Sequence, residues 1–220
     1  MSVNTAMNQK ENLIFTFDPG LAPTLAKNNI KLVNLGNNHI LNFGPEGLNQ
    51  TKKYLTDAGV DYFGDPGAGE PIVFTKDLRD KKIVFVNYNY AAPRSWENSL
   101  AAIQAAEKDT NAFIVLYAHW GTEYQSGDPS SKTRSRARAF IDAGADLVIG
   151  THPHVIQIKE QYEDESIYYS LGNFVFDQYF SPATQEGLAV QALIYPKDLR
   201  IGLKEFRVEI GKDGRTVIKH

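Results

Sequence analysis

The chain has 220 residues, 42% of them hydrophobic and 22% charged, enough apolar content for one large or two small globular domains with a buried core, which excludes a disordered chain. Its 23 basic and 26 acidic residues give a formal net charge of −3, and because both signs are spread along the chain no basic stripe marks a nucleic-acid partner. The lack of cysteine removes thiolate catalysis, thiolate-held zinc and disulfides, and leaves the compartment open.

Met1 to Asn12 is polar and unlike a signal peptide, and nowhere do eighteen apolar residues run together, so the chain as written is expected to be soluble. Short β-branched or aromatic runs then alternate with stretches of helical spacing up to residue 150, the pattern of an α/β sheet. Phe17-Asp18-Pro19-Gly20 reads as a turn, Leu21 to Lys27 as a helix and Ile30 to Leu35 as a buried strand. Pro45 to Ala58 is the next predicted helix, with proline in its first turn and Gly59 just past its end.

Asp61 to Gly64 reads as a short strand before a glycine-rich turn at 65–69. Pro71 to Thr75 and Lys82 to Tyr88 are predicted strands around a charged turn, Asp77 to Lys81. Trp96 to Lys108 is expected to be helical, Ala112 to Ala118 a strand, Lys132 to Ala143 a basic-faced helix and Asp146 to Gly150 a strand. Beyond residue 150 the pattern turns to strands alone: Val155 to Glu160, Ile167 to Leu171, Leu188 to Tyr195 and Leu203 to Ile210, with Gly211 to Gly214 as a hairpin turn. No repeat or long linker interrupts the chain, so residues 1–220 are expected to form a single domain, with an α/β part at 1–150 and a mainly β part at 151–220.

Of the five histidines, His39, His119, His152 and His154 follow closely on strand-like runs. In open α/β sheets ligands gather beyond the carboxyl ends of the strands, so these four can converge in space. In an extended His152-Pro153-His154 segment both imidazoles point to one face and can hold a metal. Imidazole with amide or carboxylate oxygen suits zinc, manganese, iron or nickel. His119 taken alone reads as a hydrogen-bonded structural histidine before it reads as a ligand, and the terminal His220 is assigned no role.

Four ordered blocks carry a family resemblance. Val33-Asn34-Leu35-Gly36-Asn37-Asn38-His39, with Asn42-Phe43-Gly44 and Gly47-Leu48, resembles the asparagine–histidine block of the CapA/PgsA family of capsule and poly-gamma-glutamate synthesis proteins; Gly36, Asn42 and Phe43 stand for its usual alanine, aspartate and tyrosine. Tyr117 to Tyr124 is similar to its histidine–tryptophan–glycine block, Gly144 to Val155 to its histidine–proline–histidine block, and Ile167 to Phe174 to its serine–leucine–glycine–asparagine block, with Asp177 where that block often ends.

The resemblance implies a layered α/β sandwich like that of calcineurin-type metallophosphatases, with a β-rich C-terminal part. It implies a divalent metal (manganese, zinc or iron), dinuclear in the intact protein, with Asn38, His119, His152 and His154 as ligands and His39 as the acid that protonates the leaving oxygen. Asn37, Trp120, Glu123, Asn173 and Asp177 are candidates for the pocket or for orienting the ligands. Glu123 reads equally as an exposed loop residue and Asn173 as a turn residue, while Trp120 reads as a packing residue before it reads as a surface on which substrate stacks.

The family's opening glycine–aspartate strand and asparagine–leucine–glutamate block have no counterpart here. The expectation is therefore a fold lacking its opening strands, whose site holds one metal weakly or none unless another chain supplies carboxylates. The implied function is a metal-dependent phosphoester hydrolase of capsule or poly-gamma-glutamate biosynthesis, or else a non-catalytic binding or export component of an anionic-polymer synthesis complex. The implied setting is extracytoplasmic, through a membrane anchor outside this sequence. Implied partners are an anionic polymer or phosphoester, the other components of the complex and a second copy in a homodimer across an exposed sheet edge, with no nucleic acid.

Overall fold

The computed structural model describes residues 15–64, 72–78, 81–195 and 201–219. The polar stretch at 1–12, the turn expected at 65–69 and His220 lie outside the described residues.

The chain opens with α1 (Leu21–Lys27), β1 (Leu32–Asn34), α2 (Gly44–Asp57) and β2 (Asp61–Phe63). Asp18 takes the turn role: its carboxylate accepts from Gly20 N at 2.7 Å and its carbonyl from Leu21 N. β1 and β2 pair in parallel, and α2 covers them through Leu48 and Leu55, which pack with Leu35 and Val60. The strand predicted over Ile30 to Leu35 thus shrinks to three residues, because Ile30 is spent on a turn, its N–H donating to Leu25 O.

Six further strands form the main sheet: β3 (Val73–Leu78), β4 (Lys81–Asn89), β5 (Ala112–His119), β6 (Leu147–Thr151), β7 (Lys159–Tyr162) and β8 (Glu165–Tyr168), in the order β3-β4-β5-β6-β8-β7. β4, β5, β6 and β8 are parallel, and β3 and β7 close the edges antiparallel. The crossovers are α3 (Ser95–Ala106) and α4 (Ser131–Asp142). Ser130 caps α4, its hydroxyl accepting from Thr133 N at 3.1 Å.

Alternation along the strands divides the core into two layers. Val84, Val86, Tyr88, Ile114, Leu116 and Val148 face the helices and meet Ile103, Ala137 and Phe140. Phe113, Val115, Leu147, Ile149 and Tyr168 face the other way and are covered by Val190 and Leu203. Those two residues belong to a second, antiparallel sheet of β9 (Glu186–Ile194), β10 (Ile201–Ile210) and β11 (Thr216–Ile218). The order is helices, six-stranded sheet, three-stranded sheet, so the α/β sandwich with a β-rich C-terminal part is as expected. The turn at Gly211 to Gly214 closes by Gly214 N donating to Gly211 O.

Two expected boundaries move. β3 and β4 stay paired through Asp77–Lys82 and Leu78–Lys81, so Asp77 and Lys81 sit within the strands, where Asp77 faces Lys82 across the pair, and residues 79–80 of the expected turn lie outside the described residues. The strand expected over Val155 to Glu160 starts at Lys159. Pro153 and a left-handed His154 bend the path first, and Ile156 and Gln157 make only isolated bridges to Leu171 and Gly127. Among the described residues no helix is long and apolar enough to cross a membrane.

Candidate metal centre

The parallel register fixes a row of side chains at the carboxyl ends of three strands: Asn89 of β4 pairs with His119 of β5, and His119 with Thr151 of β6. The turn after β6 carries His152 and His154, and the turn after β1 carries Asn37, Asn38 and His39. The turns meet over the row. The ring centres of His119 and His152 are 4.6 Å apart, those of His152 and His154 6.3 Å, and Asn38 Oδ1 lies 2.9 Å from His119 Nε2.

Backbone shape differs from the expected extended segment. His152 has φ 96° and His154 φ 61°, a left-handed region that costs non-glycine residues on the order of 1–3 kcal/mol each. The two imidazoles converge because a turn folds them inward. Pro153 O accepts from Tyr124 N at 2.8 Å and ties that turn to the segment after β5. Gly150 lets the approach happen, since a Cβ there would lie 2.0 Å from Tyr169 O and 2.6 Å from Trp120 Nε1.

Hydrogen bonds assign the imidazole protons. Asn173 is buried, and its Nδ2 donates to Thr184 O at 2.9 Å and Gln178 Oε1 at 3.1 Å. Its Oδ1 therefore accepts from His154 Nδ1 at 2.9 Å, leaving the His154 Nε2 lone pair free to bind. At His119 the Thr151 hydroxyl donates to Ala118 O at 3.2 Å, so it accepts from Nδ1 at 3.2 Å and the Nε2 lone pair faces Asn38 Oδ1. Asn38 Nδ2 points at His39 Nε2 at 3.3 Å, and His39 Nδ1 donates to Asn42 Oδ1 at 3.1 Å.

Asn38 Oδ1 accepts from His119 Nε2 when the ring carries its proton there, and in the other tautomer the two atoms are a pair of lone-pair donors open to a cation. Burial holds His119 well below the usual imidazole range, at about 3, helped by His152, His154 and His39, and burial also lowers His152. Near neutral pH both present the uncharged, ligating form. Glu123, His152 and His154 each offer a ligand atom within 4.8 Å of the others. A carboxylate, imidazole nitrogens and an amide oxygen fit a divalent transition ion.

The remaining candidates separate. Asn37 holds the turn, its Oδ1 accepting from His39 N at 2.8 Å. Trp120 is a packing residue, 2% exposed, with Nε1 donating to Tyr169 O, so it lies beneath the site and does not line it. Asp177 is exposed and outside the group formed by Glu123, His152 and His154. Asn89 and Tyr90, at the end of β4, did not stand out in the sequence. Asn89 is buried, donates to Asn37 O at 2.9 Å and accepts from Ala91 N, while Tyr90 lies against His119 and His152. The signal was available: asparagines at 87 and 89 ending an apolar strand are polar groups that burial obliges to find partners.

The family model described as "Bacterial capsule synthesis protein PGA_cap" matches residues 2–178. Capsule biosynthesis protein CapA of Bacillus anthracis is 36% identical over 174 residues, covering 67% of this chain and 40% of that protein. PGA biosynthesis protein CapA of Bacillus subtilis (strain 168) is 34% identical over 174 residues, covering 68% and 43%. The chain thus spans about two fifths of the length of these relatives. Among solved structures, the NAD nucleotidase of Haemophilus influenzae superposes with a TM-score of 0.52 at 11% identity, covering 92% of this chain and 36% of that one, a likeness of fold alone.

Proposed function

This chain belongs to the bacterial capsule synthesis protein family, and from that premise we propose that it is a divalent-metal-dependent hydrolase acting on a phosphoester in the making of an anionic capsule polymer of the poly-gamma-glutamate kind. The observation that carries this reading is the convergence of the imidazoles of His119, His152 and His154 with Glu123 and Asn38 at the carboxyl ends of parallel strands. Glu123, His152 and His154 would hold the ion, with Asn38 and His119 adjoining it. Manganese, zinc or iron bound there would polarise the phosphoryl oxygens and lower the pKa of a bound water.

The chain's own groups do the rest. Asn173 holds the His154 imidazole with Nε2 inward, and Thr151 does the same for His119. Asn42 accepts from His39 Nδ1, so Nε2 is the atom that would deliver a proton to a departing oxygen from the imidazolium form, its contact with Asn38 Nδ2 then being given up. Glu123, in sequence an orienting or exposed residue, would supply a carboxylate to the ion, which favours one ion on this chain.

The test is hydrolysis of an aryl phosphate with added manganese, alongside calorimetric titration of the metal. The expected result is one metal site and turnover that His39→Ala lowers about 100-fold with metal affinity retained. Equal and negligible turnover in both proteins would assign the centre instead to a binding or export component of the polymer machinery.

A further inference from the structure

Two tyrosines beside the histidines are exposed, Tyr90 by 45% and Tyr124 by 46%. Each lays its ring nearly parallel to a site imidazole. Tyr90 stacks on His119 at 6.1 Å and 15° and lies 5.1 Å from His152. Tyr124 stacks on His154 at 5.9 Å and 24°. Unlike Tyr88, Tyr168 and Tyr169, which fill the core, these tyrosines are nearly half exposed beside the site's imidazoles.

Both are held in place. Tyr90 N donates to His119 O at 3.0 Å, so the ring leaves β4 at a fixed height over the row of strand ends. Tyr124 sits at φ 62°, a conformation a tyrosine adopts only against a steric cost. Its hydroxyl accepts from Gln178 Nε2 at 3.0 Å, and Gln178 Oε1 accepts from Asn173 Nδ2, the same amide whose oxygen orients His154. The exposed ring of Phe180 meets Tyr124 edge-on at 5.1 Å and lengthens that wall. One hydrogen-bond chain thus positions both a candidate ligand and an exposed aromatic face. Rigid aromatic faces beside a reacting centre bind flat, weakly polar surfaces at little entropic cost.

We infer that Tyr90 and Tyr124 are the substrate-binding walls of the site, and that the phosphoester it takes carries a six-membered ring, of a sugar or an aryl group, which packs its flat face on these tyrosines. The inference rests on the phosphoester reading above. It makes the two tyrosines specificity residues, with the chemistry left to the histidines.

Two measurements test it on the metal-loaded protein. The first compares kcat/KM for phenyl phosphate, a hexose phosphate and propyl phosphate in the wild type and in Tyr90→Ala, Tyr124→Ala, Tyr90→Phe and Tyr124→Phe. Ring-bearing esters are expected to be preferred about tenfold, through KM, with the preference lost in the alanine variants and kept in the phenylalanine ones. A preference for the hexose ester would identify a sugar, one for the phenyl ester an aryl group. The second follows binding of phenyl phosphonate, cyclohexyl phosphonate and propyl phosphonate by NMR titration, which needs no turnover. Equal affinity for rings and chain in the wild type, or a ring preference unchanged in both alanine variants, would overturn the inference. Absence of turnover with the ring preference intact in binding would overturn the hydrolase reading alone.

Discussion

Asn173 makes three hydrogen bonds with its two amide atoms, and only one of them reaches the site. Because Nδ2 is committed to Thr184 and Gln178, the amide cannot rotate, and the His154 proton is fixed on Nδ1. Replacing it by leucine removes the acceptor and frees the imidazole to turn. Asn173→Leu is expected to weaken zinc or manganese binding by about 10- to 100-fold, measured by calorimetric titration, while leaving the His39 side of the site in place. An affinity equal to the wild type's would mean that packing alone orients His154. Asn42 has a comparable place on the other side, accepting from both His39 Nδ1 and Phe15 N. Asn42 is uncharged, so His39 is oriented by a dipole and not by a full charge.

At the level of elements, the tightest constraint lies where β6 passes beneath the segment after β8. Gly150 approaches Tyr169 O so closely that any Cβ would displace the carbonyl or the Trp120 indole bonded to it. Gly150→Ala is therefore expected to destabilise the fold by about 3 kcal/mol or more, read by urea unfolding, and to disturb His152 two residues on. Stability within 1 kcal/mol of the wild type would show that β6 can shift without cost. This part of the fold was legible in the sequence: apolar runs located β4, β5, β6 and β8, and polar residues after them marked the ends where ligands gather. What was not legible has physical causes. The β7–β8 hairpin turns on Glu163 and Asp164, both left-handed, where a glycine or asparagine would have announced it. The bend at His152 and His154 is also left-handed without glycine, so it read as extended. Asn89 and Tyr90 act through partners 52 and 29 residues away in the chain, Asn37 and His119, which no local pattern encodes.

Across the whole molecule the parallel strands have two unlike ends. The carboxyl ends gather imidazoles, while the amino ends of β6 and β8 bring together Asp146 and Glu165, whose strands pair from Leu147 with Ser166 onward. Asp146 accepts from Ile114 N at 2.6 Å and is raised by burial. Glu165 is half-buried; burial, then the charges of Asp146 and Asp164, push its carboxyl up to about 7. A carboxyl whose pKa is higher folded than unfolded binds more protons in the folded state through the window between the two values. Its stabilising contribution is thus complete below about pH 4.5, and it is lost as the pH rises through about 7, where an ionised Glu165 must be accommodated beside Asp146. Glu165→Gln removes the titration and keeps the shape. The variant is expected to match the wild type near pH 4 and to melt about 2–4 °C higher at pH 8, followed by thermal unfolding of the metal-free protein at both values. A gain of the same size at pH 4 would show that the effect is steric and that the amino-terminal end of the sheet carries no unfavourable charge. The histidine end follows the opposite sign, since depressed imidazoles lose stability as the pH falls below their ordinary range. The two ends together place the stability optimum of the metal-free fold between the lower limit set by the histidines and the upper limit set by Glu165.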